Sequence, residues 1–168
     1  SQGSLMNTEN AFDVAIDGQG FFQVLLPDGR MGYTRNGTLA KNAEGTLTTQ
    51  SGYVLQPEIA VPDDALTVNI SQDGIVTVSR PGSVEAEEIG QITLARFANP
   101  RGLDPVGETF VVETGASGAP IVAAPLAEGT GKLVQGYLEA SNVNVVQELV
   151  DMIEAQRAYE VNSKSISA

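Results

Sequence analysis

The stretch "GYLEASNVNVVQELVDMIEAQRAYEVNSKSIS", residues 136–167, sets the reading of the whole chain. Nothing from 145 to 166 is Gly or Pro, and Asn144 can cap a helix whose first residue is Val145, so one helix is predicted there. At 100° per residue, Val145, Val146, Leu149, Val150, Met152 and Ile153 share a broad face, opposite Gln147, Asp151, Glu154, Asn162 and Ser165. Farther along, the stripe narrows to Val145, Met152, Tyr159 and Ile166, spaced by seven. A seven-residue repeat slips about 20° per heptad on a straight helix, so it suits a second helix winding around it left-handedly. The six residues of the face, with Tyr159, carry a gross burial term on the order of 10 kcal/mol. That is comparable to the ~5–15 kcal/mol net stability of a domain. One cover for the stripe is the β portion of the same chain. The seven-residue period favours instead a helix from another molecule, or from a segment of the protein outside these residues, because a sheet does not ask for that period.

The residues before this stretch are punctuated as antiparallel sheet. "PDGR" at 27–30, "RNGT" at 35–38 and "QDGI" at 72–75 set Asp-Gly or Asn-Gly between strand-like runs, so each is a hairpin candidate. Alternation at Phe22, Val24 and Leu26, at Leu66, Val68 and Ile70, and at Val76 and Val78 predicts one buried face per strand. With 18 Gly and 8 Pro, the expected fold is mainly β: a hairpin-rich, closed or nearly closed antiparallel barrel. The expected boundaries are 1–138 for this domain and 139–168 for a segment carrying one C-terminal amphipathic α-helix. Residues 99–131 read as a long loop around one or two short strands.

Composition closes off several functions. The 168 residues carry a net charge of −12, which repels nucleic-acid phosphates and anionic lipid, and no apolar run approaches the ~20 residues of a membrane-spanning helix. There is no His and no Cys, so no Ser-His relay, thiol chemistry or conventional zinc site can be assembled. No cofactor, metal or catalytic group is expected. "DGQGFF" at 17–22 leads into an alternating strand and so reads as a strand-entry turn. "GTGKL" at 129–133 lacks both the Ser or Thr after Lys132 and the first Gly of a phosphate loop, since Leu126 stands there. The neighbouring acids Asp63–Asp64 and Glu87–Glu88 point to opposite faces of an extended strand and read as solvated edges.

At this point the residues resemble a known family. "GYLEASNVNVVQELVDMIEAQRAYEVNSKSIS" resembles the C-terminal signature of the bacterial flagellar rod and hook proteins: Ser-Asn-Val, Glu-Leu-Val, Met-Ile, Gln-Arg, Tyr and Asn. Here these fall on Ser141, Asn142 and Val143, on Glu148 to Val150, on Met152 and Ile153, on Gln156 and Arg157, and on Tyr159 and Asn162. "DVAIDGQGFFQV" at 13–24, "YTRNGTL" at 33–39 and "GETFVVETGASGAP" at 107–120 agree with the same family. The resemblance implies a non-enzymatic subunit that polymerises helically into a hollow axle, with terminal helices packed as coiled coils in its inner wall. It implies a place in the distal rod, with a proximal rod or hook subunit as the alternative. The implied partners are copies of itself, proximal rod and hook proteins, and the ring proteins of the peptidoglycan and outer membrane, with no nucleic acid and no membrane insertion. The implied location is the periplasmic basal body, reached through flagellar type III export without a cleaved signal. The resemblance also implies a helical segment ahead of Ser1 and a terminal helix continuing past Ala168, so that this chain alone is expected to stay monomeric.

The expected packing seam is Val145, Leu149, Met152, Ile153 and Tyr159, with Gln156, Arg157 and Asn162 as polar register contacts. Two rivals come from other classes. A secreted glycan-binding β module would stack sugar rings on exposed aromatic residues, which are scarce here. A carboxylate-only hydrolase would rest on Asp63 or Glu87.

Overall fold

Between residues 5 and 139, glycine, proline and short polar turns interrupt the chain so often that no described strand exceeds five residues. The structure, a computed structural model, describes residues 3–107 and 109–140. In chain order the strands begin with β1 (Leu5–Asn7), β2 (Val14–Asp17), β3 (Phe22–Leu25), β4 (Met31–Thr34), β5 (Leu39–Lys41) and β6 (Leu47–Thr49). They continue with β7 (Leu55–Gln56), β8 (Thr67–Ile70), β9 (Ile75–Ser79), β10 (Glu87–Gln91) and β11 (Leu94–Arg96). A 3-10 turn at Pro100–Gly102 precedes β12 (Asp104–Val106), β13 (Phe110–Val112), β14 (Ile121–Ala123), β15 (Lys132–Gln135) and β16 (Tyr137–Glu139). By contact the chain divides into one unit of Leu5–Glu139 and another of Ser1–Ser4 with Ala140–Ala168.

The expected β class and antiparallel pairing hold, but the expected barrel does not. One sheet has five strands in the order β12-β13-β4-β3-β7 and another has three, β10-β9-β8. Four two-stranded ladders complete the described set: β1-β16, β15-β2, β5-β6 and β11-β14. Closing a barrel requires each strand to be bonded along both edges with a common tilt. Strands of two to five residues, twelve of the sixteen described ones paired along one side only in these sheets, cannot supply that continuous ladder.

A shared core holds the small sheets together. Ile16 of β2, Phe22 and Val24 of β3, Leu47 of β6, Val76 of β9 and Leu133 of β15 are all fully buried in one cluster. The predicted alternation succeeds at Phe22, Val24 and Leu26 and at Ile70, Val76 and Val78, all buried, while Val68 packs half-buried against them. Leu66 is the exception: it is 66% exposed. Its N–H still donates to the Ser79 carbonyl at 2.8 Å, but it sits just outside β8, at the end of the sheet away from the buried Ile70. Backbone pairing extends farther along this strand than the core does.

The turn predictions divide in the same way. "PDGR" joins β3 to β4 with Gly29 at φ +90°, and "QDGI" joins β8 to β9 with Gly74 at φ +88°. In the first, the Arg30 backbone N–H and then its guanidinium bond the Asp28 carboxylate, holding its pKa below the usual range. "RNGT" is not a hairpin, because β4 and β5 belong to different sheets. A Cβ on Gly37 would lie 1.6 Å from the Val14 carbonyl oxygen, and Val14 N–H donates to the Gly37 carbonyl. This glycine admits a close backbone crossing rather than a tight turn.

Residues 99–131 also carry more order than predicted. They hold three strands, and β13 lies inside the five-stranded sheet, with Val111 in register with Tyr33. Tyr33 is buried edge-on against Phe97 at 4.9 Å between ring centroids. That burial raises its hydroxyl pKa, and the Glu113 carboxylate adds to the shift.

Candidate functional site

The described feature closest to the predicted assembly segment is the ribbon formed by β1 and β16. Strand β15 runs antiparallel to β2, ending with Gln135 opposite Val14. At the next residue the partner changes. Gly136, at φ +84°, donates its N–H to the Asp13 carbonyl at 2.7 Å and accepts from the N–H groups of Thr8 and Glu9 at 2.8 and 3.2 Å. The chain then pairs with β1 instead, Tyr137 opposite Asn7 and Glu139 opposite Leu5. A left-handed residue is what lets one strand leave one ladder and join another here, and glycine adopts that conformation without a Cβ penalty.

Arg35 fastens the far end of β16. Its Nε donates to Glu139 Oε1 at 3.0 Å and its Nη2 to Glu139 Oε2 at 2.6 Å, a bidentate pair. Nη1 donates to the carbonyls of Gly18 and Gly20 at 2.7 and 2.8 Å, and Nη2 also to that of Ile16 at 3.1 Å. A guanidinium has five N–H donors, and these five bonds match that capacity. The Gly18 and Gly20 acceptors belong to the "GQG" turn, where both glycines lie near φ +130°, far from the conformation of ordinary L-residues.

The two glycine motifs prove to be packing devices. A Cβ on Gly18 would come within 2.6 Å of Gly131 Cα, and Gly131 N–H donates to the Gln19 carbonyl at 2.8 Å. The "GQG" and "GTG" loops therefore meet backbone to backbone. Lys132 lies in β15 with its Nζ 3.9 Å from the Asp17 carboxylate, which is strand pairing rather than a phosphate loop.

Of the two acids of the hydrolase rival, Glu87 is drawn to a cation, together with Asp64. Asp64 and Glu87 both approach Arg80, at 3.5 and 3.2 Å, and each is more than half exposed. Asp63 and Glu88 are exposed as well. Among the described residues, an open cavity of about 620 Å³ beside Tyr33 is lined by one carboxylate, Glu113. None of the described aromatic residues is exposed, so no described ring offers the flat platform a sugar would stack on.

The predicted seam and signature residues, Ser141, Asn142, Val143, Val145, Leu149, Met152, Ile153, Gln156, Arg157, Tyr159 and Asn162, lie outside the described residues. The described part of the site, Arg35 with Glu139 and Gly136, is not among the predicted residues. Arg35 and Glu139 do stand in two of the family-like stretches, "YTRNGTL" and "GYLEAS", but nothing in either stretch says that they meet.

Comparison with known proteins places both stretches in one group. Residues 15–78 match the family model of the flagellar hook protein FlgE/F/G D1 domain. Residues 134–168 match that of the flagellar basal body rod FlgEFG protein C-terminal region. The chain is 52% identical over 167 residues to the flagellar basal-body rod protein FlgG of Buchnera aphidicola subsp. Schizaphis graminum, covering 99% of this chain and 64% of that protein. It is 45% identical to the FlgG of Caulobacter vibrioides, covering 99% of this chain and 63% of the relative. It is also 33% identical to the flagellar basal-body rod protein FlgF of Escherichia coli K12, covering 99% and 67%. The chain belongs to the flagellar basal-body rod protein family. It spans slightly less than two thirds of the length of the FlgG relatives. Within this rod-family chain, the first family model covers β2 to most of β9, so it includes Arg35, and the second begins in β15 and includes Gly136 and Glu139. The clamp therefore joins the two family regions.

Proposed function

We propose that this chain is the β-rich body and part of the assembly segment of a structural, non-enzymatic subunit of the bacterial flagellar distal rod. The observation that carries the reading is the ribbon. Pairing of β1 with β16 makes Leu5 and Glu139 register partners, and Ala140 N–H donates to the Ser4 carbonyl at 2.7 Å. Chain preceding Leu5 and chain following Glu139 therefore start as neighbours. That supports a pair of terminal helices packing along the seven-residue stripe, with Val145, Leu149, Met152, Ile153 and Tyr159 as the seam. Gln156, Arg157 and Asn162 are the polar register contacts, and Ser141, Asn142 and Val143 the lead-in. The body would correspond to residues 1–138 and the assembly segment to 139–168.

In this reading the subunit polymerises helically with its own copies, meeting proximal rod protein at one end and hook protein at the other. It turns within the ring proteins of the peptidoglycan and outer membrane, in the periplasmic part of the basal body, after type III export. The identity to rod proteins of several bacteria supports a distal rod subunit over a hook subunit. Met152→Asp in the full-length protein is expected to block rod growth while leaving the thermal transition of the β body unchanged. Normal motility of that mutant would refute the seam.

A further inference from the structure

The ribbon contributes no residue to either hydrophobic cluster of the described unit: Leu5, Tyr137 and Leu138 are half-buried, and Met6 and Asn7 are exposed. Polar contacts anchor both of its ends to the body. One end is fixed by the Gly136 N–H bond to the Asp13 carbonyl, and the other by Arg35, which grips Glu139 with one side of its fork and three body carbonyls with the rest. The Arg35 and Glu139 side chains are 25% and 11% exposed. The pair is thus shielded enough for charge-assisted bonds to matter, and its planar geometry suits a carboxylate better than a point charge would.

We infer that Arg35 is a positioning residue: through Glu139 it locks the β1–β16 ribbon onto the β body, giving both terminal segments a stationary base. The lock is geometric as well as electrostatic. Lysine carries a charge but has three donors on a flexible stem, so it cannot grip both carboxylate oxygens while also capping the carbonyls of Ile16, Gly18 and Gly20. The inference deepens the assembly reading, on which its biological meaning rests.

Amide exchange, followed residue by residue on the unassembled full chain, tests it. The Gly136 amide reports the ribbon's attachment, because its acceptor, the Asp13 carbonyl, belongs to the body. Amides of β3 and β9 report the body. In Glu139→Gln, Gly136 is expected to exchange about tenfold faster while β3 and β9 keep their protection, the pattern of local opening. Arg35→Lys is expected to behave like Glu139→Gln. Equal acceleration at all three places would make the pair an ordinary stability contact and overturn the inference. So would unchanged Gly136 exchange in both variants, or full wild-type protection with Arg35→Lys. Because the measurement needs no polymer, a failure of Met152→Asp to stop rod growth would leave its outcome untouched.

Discussion

The β body and the β1–β16 ribbon are built from the same kind of short antiparallel strand, yet they are held by different forces. In the body, side chains such as Phe22, Leu47 and Val76 are wholly buried in one cluster shared by several sheets. In the ribbon, no strand residue is fully buried, and one glycine and one guanidinium anchor its two ends. Apolar burial is diffuse and tolerates small adjustments, whereas a polar joint depends on a few atoms at fixed distances. A body that stays folded beside a ribbon that can be loosened separately is what this division of forces implies.

Three substitutions sharpen the contrast. Phe22→Ala removes a ring with no exposed surface from the centre of the main cluster. It should destabilise the body by about 3–5 kcal/mol in a chemical denaturation curve. A loss below about 1 kcal/mol would mean that the shared core is not what holds the sheets together. Gly136→Ala meets no atom of the described residues within 4 Å, so its penalty there is the left-handed conformation. That penalty is about 1–2 kcal/mol. It should appear as faster exchange at the amides of Thr8, Glu9 and Gly136, with the core amides protected. Leu66→Ser should change stability by no more than about 0.5 kcal/mol, since the side chain already faces water. A larger loss in the denaturation midpoint would show that something covers Leu66 in solution.

Leu66 also shows where the sequence pattern stops being informative. It continues the alternation of Val68 and Ile70, and period two is a property of the strand alone. Whether the inward face meets a core depends on where other sheets end. The Asn-Gly at 36–37 teaches the same lesson. Its composition matches a hairpin, but the glycine there serves a crossing over the Val14 carbonyl, a residue more than twenty positions away. The barrel expectation failed for a related reason, since turn signals count strands without saying which edges they share. Arg35 and Glu139 lie 104 positions apart, and neither residue type is unusual for an exposed turn or strand end. Only the arrival of β16 beside the "GQG" turn makes them a pair.

The amino-acid sequence alone determined the β class, the antiparallel sense, the turns at 27–30 and 72–75, the glycine entry to β3 and the family. Each rests on preferences that two to seven neighbouring residues express without help, or on a signature that is itself local. Tertiary structure decided which strands share a sheet, which apolar residues are covered, where β15 exchanges one partner for another, and what Arg35 holds. Those outcomes depend on backbone and side-chain atoms from distant positions meeting within about 3 Å, and no local preference encodes that encounter.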